Sequence, residues 1–257
     1  MTVAQEQVAV ERENGVMVIT IDRPAVRNAI DYDTAQALSA AFDELDATPS
    51  LSVAVITGSN GTFSAGMDLK AFAAGGKLPR SERGFAGIVR QPPRTPVIAA
   101  VEGAAMGGGF EIVLACDLVV AAQDAVFGLP EVRLGQCASG GGLLRLPRRI
   151  PYHRAMELIL TGERLGAEAA ERLGLITRLT PPGGALAEAR HLAERIAANG
   201  PLAVAASKRV VVESQDWPSS EAFDRQAAIV DPVRNSADAR EGAVAFSKKR
   251  APVWQRE

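Results

Sequence analysis

Two glycine-rich stretches and two isolated glutamates hold the residue types in this chain that can carry a reaction. The first stretch is Phe63-Ser64-Ala65-Gly66-Met67-Asp68-Leu69-Lys70. The second runs Glu102-Gly103-Ala104-Ala105-Met106-Gly107-Gly108-Gly109-Phe110-Glu111. In each, glycines stand between a strand-like apolar run and a helical one. Glycine lets the backbone turn sharply and approach a ligand, and a helix start leaves N–H groups unpaired. Such groups favour an anion. One loop of this kind also serves tight strand–helix packing, but two in one chain can each give one N–H to a shared oxyanion. Neither ends in the Lys-Ser/Thr of a phosphate-binding P-loop, and no dinucleotide-binding glycine fingerprint directly follows a strand.

Glu111 opens a helix otherwise made of Phe110, Ile112, Val113, Leu114 and Ala115, and Glu131 lies among Phe127, Leu129 and Val132. A carboxylate in apolar surroundings is costly to keep charged, and its pKa rises toward the range useful for acid–base work. Each glutamate also has a plainer reading, a helix-start carboxylate bonded to its own N-terminus. Asp68 suits a helix cap. His153 and His191 lie in charged helical stretches and read as surface residues. Ser139 has no Gly-x-Ser-x-Gly frame, which argues against a nucleophilic serine. Cys137, beside a glycine-rich turn, reads as a pocket wall.

The elements that must hold these residues follow from the apolar pattern. Val8-Ala9-Val10, a turn at Glu13-Asn14-Gly15 and Val16–Ile21 predict a β-hairpin, Asn-Gly being the strongest short-range hairpin signal. Apolar residues at helical spacing predict a helix over 34–45. Val53–Thr57, Pro96–Val101 and Leu118–Ala121 are apolar runs without alternation, as in strands buried on both faces, with Val126-Phe127 a further short one. Helical patterning dominates after Gly140-Gly141-Gly142, near 151–161, 167–173, 185–198, 201–214, 219–229 and 236–249. The expected fold is α/β, with strands and crossovers first and helices last.

Of 257 residues, 47% are hydrophobic and 23% charged, which excludes a disordered chain. With 28 Lys and Arg against 30 Asp and Glu, the net charge is −2. No basic field is available for nucleic acid or an anionic membrane, so neither is expected as a partner. Two cysteines cannot build a disulfide framework and two histidines leave few zinc ligands, so no metal is expected. Thr2–Gln7 lacks the pattern of an export signal, and no apolar run approaches the ~18 residues of a membrane span. The expected location is cytoplasmic.

The chain resembles the crotonase (enoyl-CoA hydratase/isomerase) superfamily from about residue 8 onward. The likeness rests on Asp22-Arg23-Pro24 with Asn28-Ala29, Phe63–Leu69, Pro96–Gly103, Gly107–Glu111, Cys116-Asp117, Pro130-Glu131, Gly141-Gly142, Arg145-Leu146-Pro147 and Leu160-Thr161-Gly162. Gly84-Phe85-Ala86-Gly87, Gly109-Phe110-Glu111 and the ending Ala245–Trp254 are similar to carnitinyl-CoA dehydratases in particular. The resemblance implies a crotonase-like core of repeated ββα turns over 1–200 carrying an acyl-CoA site, and a C-terminal helical region over 201–257 used for trimers or pairs of trimers. It implies backbone N–H groups of Met67 and Gly108 as the oxyanion hole of a thioester enolate. Glu111 and Glu131 become the two glutamates that share a water in hydratases, whereas isomerases of the family commonly keep only the second.

By the same resemblance Ala25, Val26, Arg27 and Ala29 pass near the CoA adenine, and Lys249 approaches its phosphates. Ala65, Gly66, Asp68, Leu69, Gly107, Pro130 and Ser139 complete the expected substrate contacts. No cofactor is implied beyond the coenzyme A of the substrate. The expected activity is syn hydration of a 2-enoyl-CoA; the alternatives are carnitinyl-CoA dehydration, Δ3,Δ2-enoyl-CoA isomerisation, and an idle acyl-CoA binder of a different class. Ala138 stands where the family usually carries a proline, and 71–83 reads as a loop over the acyl pocket.

Overall fold

The computed structural model describes residues 7–256. Most of the Thr2–Gln7 segment read for an export signal therefore lies outside the described residues. The chain opens with the expected hairpin, β1 (Val8–Glu13) and β2 (Val16–Ile21). Its turn residues Asn14 and Gly15 both have positive φ, +50° and +80°, the geometry that makes Asn-Gly favourable there. Helix α1 (Tyr32–Ala47) is capped by Asp31, which accepts the Thr34 N–H, and buries Ala35, Leu38, Phe42 and Leu45 along one face.

Strand β3 (Val53–Gly58) follows, then the short helix α2 (Leu69–Ala73) and a two-rung hairpin of β4 (Arg80–Ser81) and β5 (Gly84–Phe85). The segment read as a loop over 71–83 thus contains the end of a helix and one strand. Next come β6 (Val97–Val101), β7 (Ala104–Met106) and α3 (Gly108–Ala115), then β8 (Leu118–Ala122) and β9 (Val126–Gly128). The helical part comprises α4 (Gly142–Arg149), α5 (Tyr152–Thr161), α6 (Ala167–Arg172) and α7 (Ala185–Ala197). Two short strands interrupt it, β10 (Arg164–Gly166) and β11 (Arg178–Thr180). Last are α8 (Pro201–Glu213), α9 (Ala222–Arg234) and α10 (Ala237–Ser247).

The main sheet has the order β1-β2-β3-β6-β8-β11, parallel apart from the first hairpin. A second sheet has the order β10-β9-β7. Each of β6 and β8 is followed at once by a short strand of this second sheet, β7 and β9, which is the repeated ββ step of the fold. The apolar runs lack alternation because both faces of the main sheet are covered. In β3, Ala54 and Ile56 enter the large core under α1 and α3, whereas Val53 and Val55 enter a smaller core under α7. Full burial of a side chain such as Ile56 contributes about 2 kcal/mol. Five strands escaped the sequence reading, among them β4 and β5, which are only two residues long. β7 was hidden in the second glycine-rich stretch, and β10 and β11 are too short to show a period.

Candidate active site

The first glycine-rich stretch does not wander. Ser64 donates its N–H to Ala104 O at 3.0 Å, and its own carbonyl accepts from Met106 N at 3.0 Å. The segment thus runs parallel to β7, with Ser64 paired to Ala105. Three residues beyond each partner lie Met67 and Gly108, so this register brings their amides to the same edge. Met67 lies in a second parallel bridge: Ile30 N donates to Gly66 O at 2.8 Å, and Asp68 N donates to Ile30 O at 2.9 Å. Those bonds use the amides on either side of Met67 and leave its own N–H turned the other way. Gly108 is the first residue of α3, where an N–H has no intrahelical acceptor.

Gly66 allows this closeness. Its φ is +88°, and a Cβ there would stand 2.7 Å from Met106 O and 2.8 Å from Gly108 N. Behind it, the fully buried Asn28 pins three loops together. It accepts from Arg23 N at 2.9 Å and donates to Ser59 O at 2.9 Å and Thr62 O at 2.7 Å. Ser64 Oγ closes the set by donating to Asn28 O and accepting from Gly66 N.

A cleft of about 1910 Å³ opens in front of these amides. Ala65, Met67, Leu69, Gly107, Gly108, Glu111, Pro130, Glu131 and Ser139, all expected at the site, line it, and so does Cys137. Glu111 lies one turn into α3 and is 4% exposed. Its carboxylate is not bonded to its own helix start. Oε1 accepts the Gly142 N–H at 2.9 Å from α4, with Gly140 N–H also acting on the carboxylate. Burial pushes this carboxyl up to about 7, and the charge of Glu131 pushes the same way. Glu131 sits on a 3-10 turn, Pro130–Leu134, and burial raises its pKa too. Its Oε2 is buried and accepts no hydrogen bond from any described residue. Two carboxyls of raised pKa facing one cleft can hold and pass protons near neutrality.

Other expected contacts fall elsewhere. The Asp68 carboxylate is engaged behind the loop: it caps α2 through Ala71 N at 3.1 Å and pairs with Arg23 at 3.2 Å. Ala25, Val26, Arg27 and Ala29 do not line the cleft; Arg27 instead accepts the Ala65 N–H through its carbonyl. Gly66 contributes its backbone shape and not a lining surface. Lys249, on the exposed turn after α10, does not line the cleft within this chain. His153 and His191 are exposed.

Sequence reasoning assigned no role to Phe85 or Arg145. The Phe85 ring lies over Gly108, where a Cβ would meet it at 2.5 Å. Arg145 reaches from α4 into the cleft. The run Gly140-Gly141-Gly142 was the available signal, since consecutive glycines mark a place where side chains press against backbone. Among the described residues no cluster of His, Cys, Asp and Glu could hold a metal ion, and no helix is long and apolar enough to cross a membrane.

Known proteins of the same build carry related names. The chain is 41% identical to a carnitinyl-CoA dehydratase of Salmonella typhi, over 97% of this chain and 98% of that one. It is 40% identical to an enoyl-CoA hydratase of Mycobacterium tuberculosis, over 96% and 95% of the two chains. A crystal structure of enoyl-CoA hydratase from Mycobacterium tuberculosis H37Rv superposes with a TM-score of 0.97 at 50% identity, covering 98% of this chain and all of that one. The profile of the family described as enoyl-CoA hydratase/isomerase matches residues 11–257. With sequence and fold agreeing along nearly its whole length, the chain belongs to the enoyl-CoA hydratase/isomerase family.

Proposed function

We propose that the protein is a hydro-lyase that adds water reversibly to the double bond of a 2-enoyl-CoA thioester. The observation that carries this reading is the pair of raised-pKa carboxyls, Glu111 and Glu131, in one cleft with the Met67 and Gly108 amides. The thioester carbonyl oxygen accepts the two N–H groups. An ionised glutamate takes a proton from water as the water oxygen bonds to the β-carbon. The π electrons move onto the thioester as an enolate, and the other glutamate, protonated, gives its proton to the α-carbon. Both protons move on the side of the substrate that the glutamates occupy, so addition is syn. A backbone donor of this kind is worth about 3 kcal/mol in the transition state. As written the steps need no cofactor beyond the coenzyme A of the substrate.

The names of the relatives support the same chemistry and leave two acyl groups in view. Carnitinyl-CoA dehydration is favoured by one feature: Glu82 and Phe85 both face the cleft, an acidic and an aromatic group that suit a quaternary ammonium. For assembly, the support is the apolar surface of the C-terminal helices, where Val211, Val212, Phe223 and Phe246 are all more than half exposed. Apolar surface of that kind fits a trimer or a pair of trimers.

The test is absorbance at the enoyl-thioester band with crotonyl-CoA, on wild type, Glu111→Gln and Glu131→Gln. Loss of the band that both substitutions abolish is the expected result. Formation of the band from a 3-enoyl-CoA that survives Glu111→Gln but not Glu131→Gln would point to the isomerase. Inertness of wild type on both crotonyl-CoA and crotonobetainyl-CoA, with binding intact, would leave an acyl-CoA binder.

A further inference from the structure

Three consecutive glycines pack against an acid and an arginine: Gly140 and Gly142 against Glu111, and Gly141 against Arg145. A Cβ on Gly140 or Gly142 would press on the Glu111 carboxylate, at 3.1 Å from Oε1 in the case of Gly142. A Cβ on Gly141 would overlap Nη1 of Arg145. Gly141 also has φ +97°, a backbone that side chains rarely adopt, so the triplet is shaped around both groups at once.

Arg145 is half-buried in the cleft, and one guanidinium nitrogen, Nη2, donates to Val89 O at 2.6 Å. That is the side chain's single hydrogen bond among the described residues. A half-buried guanidinium held by one carbonyl is an unusual expense unless its charge acts on something. Its neighbours show on what. The charged groups acting on Glu111 are Glu131, which disfavours its ionised form, and Arg145, which favours it. Arg149 in turn acts on Arg145, and Arg80, Glu82 and Arg148 line the same cleft. Val89 O belongs to the segment that follows Phe85, the ring over Gly108, so the same guanidinium ties that wall to α4.

We propose that Arg145 is a positioning residue of this site: the glycine triplet that shapes the seat of Glu111 also seats its guanidinium, which fastens the Phe85–Val89 wall to the helix whose first amide holds Glu111. The role is separate from contact with substrate. It rests on the hydratase reading only for its kinetic consequence.

Full-length protein labelled with carbon-13 at the glutamate carboxyls gives the direct test. Glu111 is identified by the resonance that vanishes in Glu111→Gln, and its titration is followed in wild type, Arg145→Lys, Arg145→Gln and Arg145→Met. Arg145→Gln keeps a donor for Val89 O while removing the charge, so it guards against a variant that merely fails to fold. The expected result is a Glu111 midpoint roughly 1 pH unit higher in the neutral variants and near wild type in Arg145→Lys. The limb of the kcat/KM profile that reports Glu111 moves up by the same amount. Equal midpoints in all variants, or neutral variants that do not fold while Arg145→Lys does, would assign Arg145 a structural role and overturn the proposal. Wild type inert on 2-enoyl thioesters would instead sink the hydratase reading, and the titration would still decide this one.

Discussion

The α-carbon of Gly66 lies against the amide of Gly108, so close that a single added methyl would stand 2.8 Å from that nitrogen. Two loops that are more than forty residues apart in the chain meet there without a side chain between them. Gly66→Ala must either push α3 away or abandon φ +88°. Either change spoils one of the two amide donors, and loss of one such donor costs about 10²–10³ in kcat. Turnover of crotonyl-CoA against substrate concentration checks this; the fall is expected in kcat more than in KM.

Glu111 makes stability depend on pH. Its carboxyl titrates at about 7 when folded, against an ordinary 4.5. Between those values the folded protein holds a proton that the unfolded chain has released, so stability falls as pH rises through that window and then levels off. Above it the penalty is on the order of 3 kcal/mol. Glu111→Gln keeps an acceptor for Gly142 N and loses the charge. Its Tm is expected to exceed wild type at pH above the window and to match it below; equal Tm differences at both ends would contradict the assignment.

Each glutamate has its own kinetic signature. General acid or base catalysis contributes about 10²–10⁴, so Glu111→Gln and Glu131→Gln should each lose at least that much in hydration. The double variant should lose little more than the worse single one, because the two carboxyls act on one water. Steady-state rates on purified variants measure this.

Phe85→Ala should widen the acyl end. The ring covers Gly108, and its removal frees space beside that amide. The ratio of kcat/KM for a longer enoyl chain to that for crotonyl-CoA is expected to rise by about 10-fold or more. An unchanged ratio would mean that the acyl chain runs another way.

Asn28→Ala tests the pin behind the loops. The side chain satisfies Arg23 N, Ser59 O and Thr62 O with no exposure to solvent. Leaving such groups unpaired costs about 1–3 kcal/mol each. Urea denaturation should show a loss of at least about 2 kcal/mol.

The core of this fold was legible because its strands are buried on both faces. Val53–Gly58 and Val97–Val101 are unbroken apolar runs, and only a covered sheet makes such runs stable. The Asn14-Gly15 turn was legible for a different reason: it is a local solution that few residues provide. The site was legible in its parts, Glu111 and Glu131 as acids among apolar neighbours and Gly66 and Gly108 as backbone near a helix start.

What the sequence determined by itself was therefore local: which residues turn, which are buried and which carry a displaced proton equilibrium. The tertiary structure decided what these residues meet. The pairing of Ser64 with Ala105 sets Met67 beside Gly108, and Gly142 from another helix, not the start of its own, holds Glu111. Asp68 turned back to Arg23 and its cap, away from the cleft. Contacts between segments so far apart in the chain depend on strand register and on the absence of a Cβ at a few crossings, and neither leaves a periodic trace in the residues themselves.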